Sequence, residues 1–172
     1  HQSFAARLRL QSYDGDSSNQ VIWFTDTLDG NPIHDQTPEA FQVIDEWMHN
    51  IMDHPELGVA GNKPGRATDR CFDEFGNEIA GGDDVWNGII NDEPTGACAA
   101  LFPVYSTSRI VAGGPFKGSI FKCALQPVSQ AIANGEYGVW QPTADEQARL
   151  EQIFPDGVCD FSKPDMGLPP GW

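Results

Sequence analysis

The sequence predicts an α/β fold, and three observations carry that expectation. A helical pattern ends near Tyr13-Asp14-Gly15, a short run of consecutive apolar residues follows at Val21 to Phe24, and an amphipathic helical pattern begins near Pro38. A strand of continuous apolar residues is usually covered on both faces, so helix, strand and helix in that order read as a piece of an α/β sheet. Behind them lies a loop-rich stretch with four cysteines, and then one short helical pattern.

Each element has a local reason. Phe4, Ala5 and Leu8 fall on one side of a helix that runs to about Gln11, which leaves Arg7 and Arg9 toward water. Val21-Ile22-Trp23-Phe24 is short, β-branched and aromatic, and turn-forming residues flank it, as a buried strand requires. Thr37 offers an N-cap oxygen, Pro38 suits the first helical position, and Glu39 favours the positive end of the helix dipole. Phe41, Ile44, Trp47, Met48, Ile51 and Met52 then recur at three and four residues, giving a helix to about Asp53 with one apolar face. The 18 Gly and 13 Pro concentrate after residue 55, so residues 55 to 142 read as an irregular layer with brief apolar stretches. Thr143 and Glu146 form a capping box ahead of Leu150, Ile153 and Phe154, and Pro155 ends that last helix. The tail from Asp160 to Trp172, with Pro164, Pro169 and Pro170, reads as extended.

Composition narrows the function classes. With 172 residues the chain is one domain, or a large piece of a larger protein. The 25 acidic against 10 basic residues leave a net charge of −15, which repels phosphate backbones and anionic lipid alike and argues against nucleic acid and membrane as partners. No apolar run approaches the roughly 20 residues of a membrane-spanning helix, and His1 to Ala6 reads as neither a signal peptide nor an anchor. Cys71, Cys98, Cys123 and Cys159 include no pair at CxxC spacing, so two disulfides in an oxidising compartment are the better reading. Three connectivities are open, and Cys71 with Cys98 and Cys123 with Cys159 is favoured because each bridge closes a local loop.

The candidate chemistry rests on few residues. No G-x-S-x-G elbow, dinucleotide fingerprint or P-loop occurs, so no nucleophile is named and nucleotide chemistry is not expected. His34 lies between the expected strand and the expected helix, beyond the strand's carboxyl end, where ligands and catalytic groups collect in open α/β sheets. His49 and His54 lie on or just after the helix, and His54 suits its negative end. Asp14-Gly-Asp16-Ser-Ser-Asn19 alternates oxygen ligands like a calcium loop, but it lacks the glycine and the bidentate glutamate of an EF-hand. A looser calcium site built from carboxylates such as Asp83, Asp84, Asp92 and Glu93 stays open; no other cofactor is expected. His49 and Asp53 alone do not make a zinc site. Trp86, Tyr105, Tyr137, Trp140 and Trp172 fall in loop-like sequence, where either stacking on a ligand or core packing is their use.

Ser3 to Leu10, Asn19 to Trp23, Arg109 to Pro115, Lys122-Cys-Ala-Leu-Gln-Pro127 and Ile153 to Pro164 together resemble the C-terminal part of a family of secreted bacterial α/β-hydrolases, distantly similar to tannases and feruloyl esterases. Nothing is carried over for the loops from Asp73 to Thr95. The resemblance implies that residues 1–54 are the C-terminal piece of a hydrolase core, with Val21 to Phe24 as its last strand, and that residues 55–172 are a disulfide-pinned extension. It implies a nucleophilic serine and an acidic triad member on a preceding segment or partner chain, with His34 as the base and His1 as the second candidate. The chain alone is then expected to be inactive, secreted or periplasmic, and to act on a small ester. The strand and the face of Phe41, Trp47 and Ile51 are expected to need a partner's cover. The competing expectation is a non-catalytic extracellular module that binds carbohydrate, calcium or protein.

Overall fold

A computed structural model describes residues 1–27, 34–90 and 93–169. The chain forms two compact units, Gln2–Val104 and Tyr105–Trp172, the second including His1. The architecture is mixed, with helices and two small sheets.

In the first unit, α1 (Gln2–Asp14) leads to β1 (Trp23–Thr25) and then to α2 (Thr37–Asp53). A turn of 3₁₀ helix (Pro55–Leu57) and α3 (Gly58–Gly61) follow, then β2 (Arg70–Phe72), β3 (Glu78–Gly81) and α4 (Ala97–Leu101). β1 runs parallel to β2, with Trp23 opposite Arg70 and Thr25 opposite Phe72. β2 returns antiparallel into β3. One sheet therefore draws strands from both sides of residue 54.

The core of this unit is an aromatic cluster. Phe4 from α1, Phe24 from β1 and Trp86 meet with ring centroids 5.0–5.9 Å apart. Phe102 closes the cluster at 6.1 Å from Phe24. Trp86 is 4% exposed and its indole N–H donates to the Ile22 carbonyl at 3.3 Å. This aromatic is a core residue and not a surface platform. The Cys71–Cys98 disulfide ties β2 to α4, and Cys71 and Cys98 are fully buried.

A polar clamp fixes the same elements. Arg7 does not face water as the helical pattern suggested: its guanidinium reaches inward and binds Asp69 through both terminal nitrogens, Nη2 to Oδ1 at 2.8 Å. Asp69 Oδ1 also accepts the Ile22 N–H at 2.8 Å. A buried carboxylate needs such partners, and that need overrides the simple inside-outside pattern of α1.

Two further expectations shift by a residue or more. The strand starts at Trp23, with Ile22 buried before it and its own residues half-buried. Thr37 is the first helical residue of α2 and not its cap; the Asp35 carboxylate accepts the Thr37 N–H at 2.9 Å instead. Among the described residues, only part of the apolar face of α2 is covered. Val43 is buried and the Trp47 indole donates to the Val59 carbonyl at 2.7 Å, while Phe41, Ile44, Met48 and Met52 are each more than half exposed.

The second unit holds α5 (Ser108–Val111), β4 (Ala124–Gln126), α6 (Val128–Ala133), α7 (Ala144–Ile153) and β5 (Val158–Asp160). β4 and β5 pair antiparallel beside the Cys123–Cys159 disulfide, so both favoured cysteine pairings form. The capping box of α7 forms as the sequence indicated, with Thr143 and Glu146 exchanging hydrogen bonds. The tail is not simply extended. Asp165 accepts the backbone N–H groups of Phe121 and Lys122 at 3.0 and 2.9 Å and turns the chain back on itself.

Asp69→Ala leaves a guanidinium and the Ile22 N–H without their acceptor in a water-poor site; the expected loss is about 3 kcal/mol. Urea unfolding reads it as a lower midpoint at unchanged slope, and a loss below about 1 kcal/mol contradicts the clamp. On the outer side of α2, the ring of His49 donates from Nδ1 to the Asp45 carbonyl at 2.8 Å. That bond first, and the Asp45 carboxylate second, raise the His49 pKa above its ordinary 6.5. The support this group gives α2 is therefore complete below pH 6.5 and is lost as pH rises through the raised folded-state value. Amide exchange in α2 is expected to quicken across that window, and His49→Gln is expected to remove the dependence.

Candidate functional site

The parallel pairing of β1 and β2 puts their carboxyl ends, at Thr25 and Phe72, side by side at one edge of the sheet. The Asp26 N–H still bonds the Phe72 carbonyl at 3.0 Å, which holds the two exits together. His34 stands on the β1 side, three residues before α2, and is half-buried. The β2 side is a tight hairpin turn, Asp73 to Asn77. Asp73 N–H donates to the Asn77 carbonyl at 3.0 Å and Gly76 N–H to the Asp73 carbonyl at 3.1 Å. The Asp73 carboxylate accepts backbone N–H groups from Phe75 and Asn77 at 2.9 and 2.8 Å and the Asn77 side-chain amide at 2.8 Å. The Asn77 amide, then burial-opposed backbone donors of the turn, hold the Asp73 carboxyl below its usual range.

The His34 ring is seated on that turn. Gly76 has φ +87°, the left-handed conformation that a turn followed by a one-residue bulge requires. A Cβ built on Gly76 would lie 2.3 Å from His34 Cγ, 2.5 Å from Cδ2 and 2.6 Å from Nδ1. The ring thus occupies the space that any side chain at residue 76 would fill. Among the described residues neither ring nitrogen of His34 makes a hydrogen bond or an ion pair. Two residues on, the Gln36 side-chain nitrogen is buried and has no hydrogen-bond partner among the described residues.

The other candidates lie elsewhere. His49 and His54 are exposed, the latter 3.6 Å from Glu56. His1 packs edge-on to Phe116 at 5.6 Å in the second unit. In the Asp14–Asn19 segment the Asp16 carboxylate is turned onto Ser18, whose hydroxyl first and backbone N–H second lower its pKa. Asp92 and Trp172 lie outside the described residues. Among the described residues no group of three His, Cys, Asp or Glu is placed to hold a metal ion. Tyr105 is exposed, and Tyr137 and Trp140 pack edge to face at 5.5 Å. The second unit also carries a concavity of about 720 Å³ lined by Leu125, Leu150, Phe154, Val158 and Phe161, with Arg109 among its polar groups.

Gly76 is the residue that sequence reasoning missed. Its signal was present: Asp73-x-x-Gly76-Asn77 between two short apolar runs is a hairpin pattern, with Asp to bond its own turn and Gly for the positive φ. What the pattern does not contain is the partner ring, which arrives from 42 positions upstream.

No curated protein and no solved structure matches the chain. Among family models, the one described as "Tannase-like family of unknown function (DUF6351)" matches residues 1–170. With the match running through β1, His34, α2 and the hairpin turn, this chain belongs to that tannase-like family.

Proposed function

We propose that the chain is the histidine-bearing C-terminal portion of a secreted, esterase-type serine hydrolase. The observation that carries the reading is the position of His34, in a tannase-like chain, at the carboxyl edge of a parallel strand pair and in contact with the adjoining turn. Three further observations support it. Two residues from His34, the buried Gln36 side-chain nitrogen has no hydrogen-bond partner among the described residues, a feature that a neighbouring functional group or partner segment would explain. β1 has no second strand neighbour among the described residues, and the Phe41, Ile44, Met48 and Met52 side of α2 is uncovered. These are the surfaces that a preceding portion of a hydrolase sheet would pair with and cover. Two disulfides, and no helix among the described residues long and apolar enough to cross a membrane, are compatible with a secreted or periplasmic protein.

In this reading the serine and the acid come from the preceding segment or a partner chain. The imidazole takes the proton of the serine hydroxyl as its oxygen attacks the ester carbonyl, then gives it to the departing alkoxide, which leaves as alcohol. Water adds to the acyl-enzyme by the same route, its proton passing to His34 and back to the serine oxygen, and the carboxylic acid is released. The acid's role is to fix the ring's tautomer through Nδ1.

The test uses the protein isolated from its own source. Labelling with a serine-reactive phosphonate is expected to mark a serine outside these 172 residues, and His34→Ala in the complete protein is expected to lower kcat for a small aryl ester by about 10³-fold or more. A label within these residues, or turnover retained by His34→Ala, contradicts the reading.

A further inference from the structure

We infer that the Asp73–Asn77 turn is the platform that orients the His34 imidazole, and that Gly76 is a positioning residue for the acyl transfer proposed above; the inference rests on that reading of His34. Three features lead to it. First, the contact is closer than any side chain allows. Carbon atoms in contact sit roughly 3.5–4.0 Å apart, so a Cβ placed 2.3 Å from Cγ and 2.5 Å from Cδ2 can be accommodated only if the ring moves by about 1 Å or more.

Second, the platform is stiff where the ring meets it. Two backbone hydrogen bonds close the turn and three more bonds converge on the Asp73 carboxylate. The strand that feeds the turn carries Cys71, cross-linked to Cys98, and pairs with β1, so the support of the ring is anchored in the sheet.

Third, the contact is with the ring itself: the three atoms nearest the Gly76 site are Cγ, Cδ2 and Nδ1, all members of the imidazole. Because a displacement of about 1 Å in a reacting group can cost on the order of 10²-fold in rate, the identity of residue 76 should govern turnover without touching substrate.

The experiment compares Gly76→Ala, Gly76→Asn and Gly15→Ala in the complete protein. Gly15 also has a positive φ, +74°, but a Cβ there meets nothing within 4 Å, so it reports backbone strain alone. Asn tolerates positive φ and keeps the hairpin, yet still brings a Cβ to the ring. Both Gly76 variants are expected to lose about 10²-fold in kcat with KM nearly unchanged, and to shift the His34 ring resonances in ¹H–¹³C spectra; Gly15→Ala is expected to do neither. Wild-type kcat and wild-type His34 resonances in a folded Gly76→Asn protein overturn the inference and leave the hydrolase reading standing. Turnover retained by His34→Ala overturns the reading, and the positioning role with it, whatever the ring resonances do.

Discussion

The Asp69 carboxylate is the interaction on which the first unit depends. It accepts the Arg7 guanidinium from α1 and the Ile22 N–H at the entry to β1, and it immediately precedes β2 in the chain. One side chain therefore sets the distance between helix, first strand and second strand. Its 9% exposure means that these bonds form with little competition from water, where charge-assisted hydrogen bonds are strongest. With β1 held beside β2 in parallel, their carboxyl ends share an edge, and it is there that His34 meets the hairpin turn.

Packing alone would not hold this arrangement. The aromatic cluster of Phe4, Phe24, Trp86 and Phe102 is compact, but the strands are three or four residues long and many large apolar side chains stay exposed. Short strands contribute few ladder bonds to the folded state, and the Cys71–Cys98 cross-link, closing a loop across 27 positions, adds stability by restricting the unfolded chain. α2 shows the same economy from the other side. Among the described residues its apolar arc is only partly covered: Val43 and Trp47 take the inner part and Phe41, Ile44, Met48 and Met52 keep the outer part exposed.

How much of this was legible in the sequence follows from the range of the forces involved. α1, β1, α2 and α7 were legible because periodicity, turn residues and the Thr143 capping box are local signals. The cysteine pairing was legible because each bridge closes the nearest loop. Arg7 was misread because its partner Asp69 is 62 residues away, and no helical pattern announces a distant carboxylate. The placement of His34 at a strand's carboxyl edge could be read from order alone, but its seat could not. β2 and β3 are too short to stand out among glycines, and with them unseen the turn at Gly76 had no place in the argument. The family resemblance reached the tannase-like assignment through segments far from that turn, and it was silent on the loops from Asp73 to Thr95, where the support of the ring is found.

The contact between the His34 ring and Gly76 is the claim on which the positioning role of the hairpin turn depends, and it can be measured without substrate. A nuclear Overhauser spectrum of the protein should show strong cross-peaks between the His34 Cδ2 proton and the Gly76 Hα protons, with those Hα resonances displaced by the ring current of an imidazole in contact. Absence of these cross-peaks, with the Gly76 Hα shifts at values ordinary for a solvent-exposed hairpin turn, would place the ring elsewhere and remove the platform from the account.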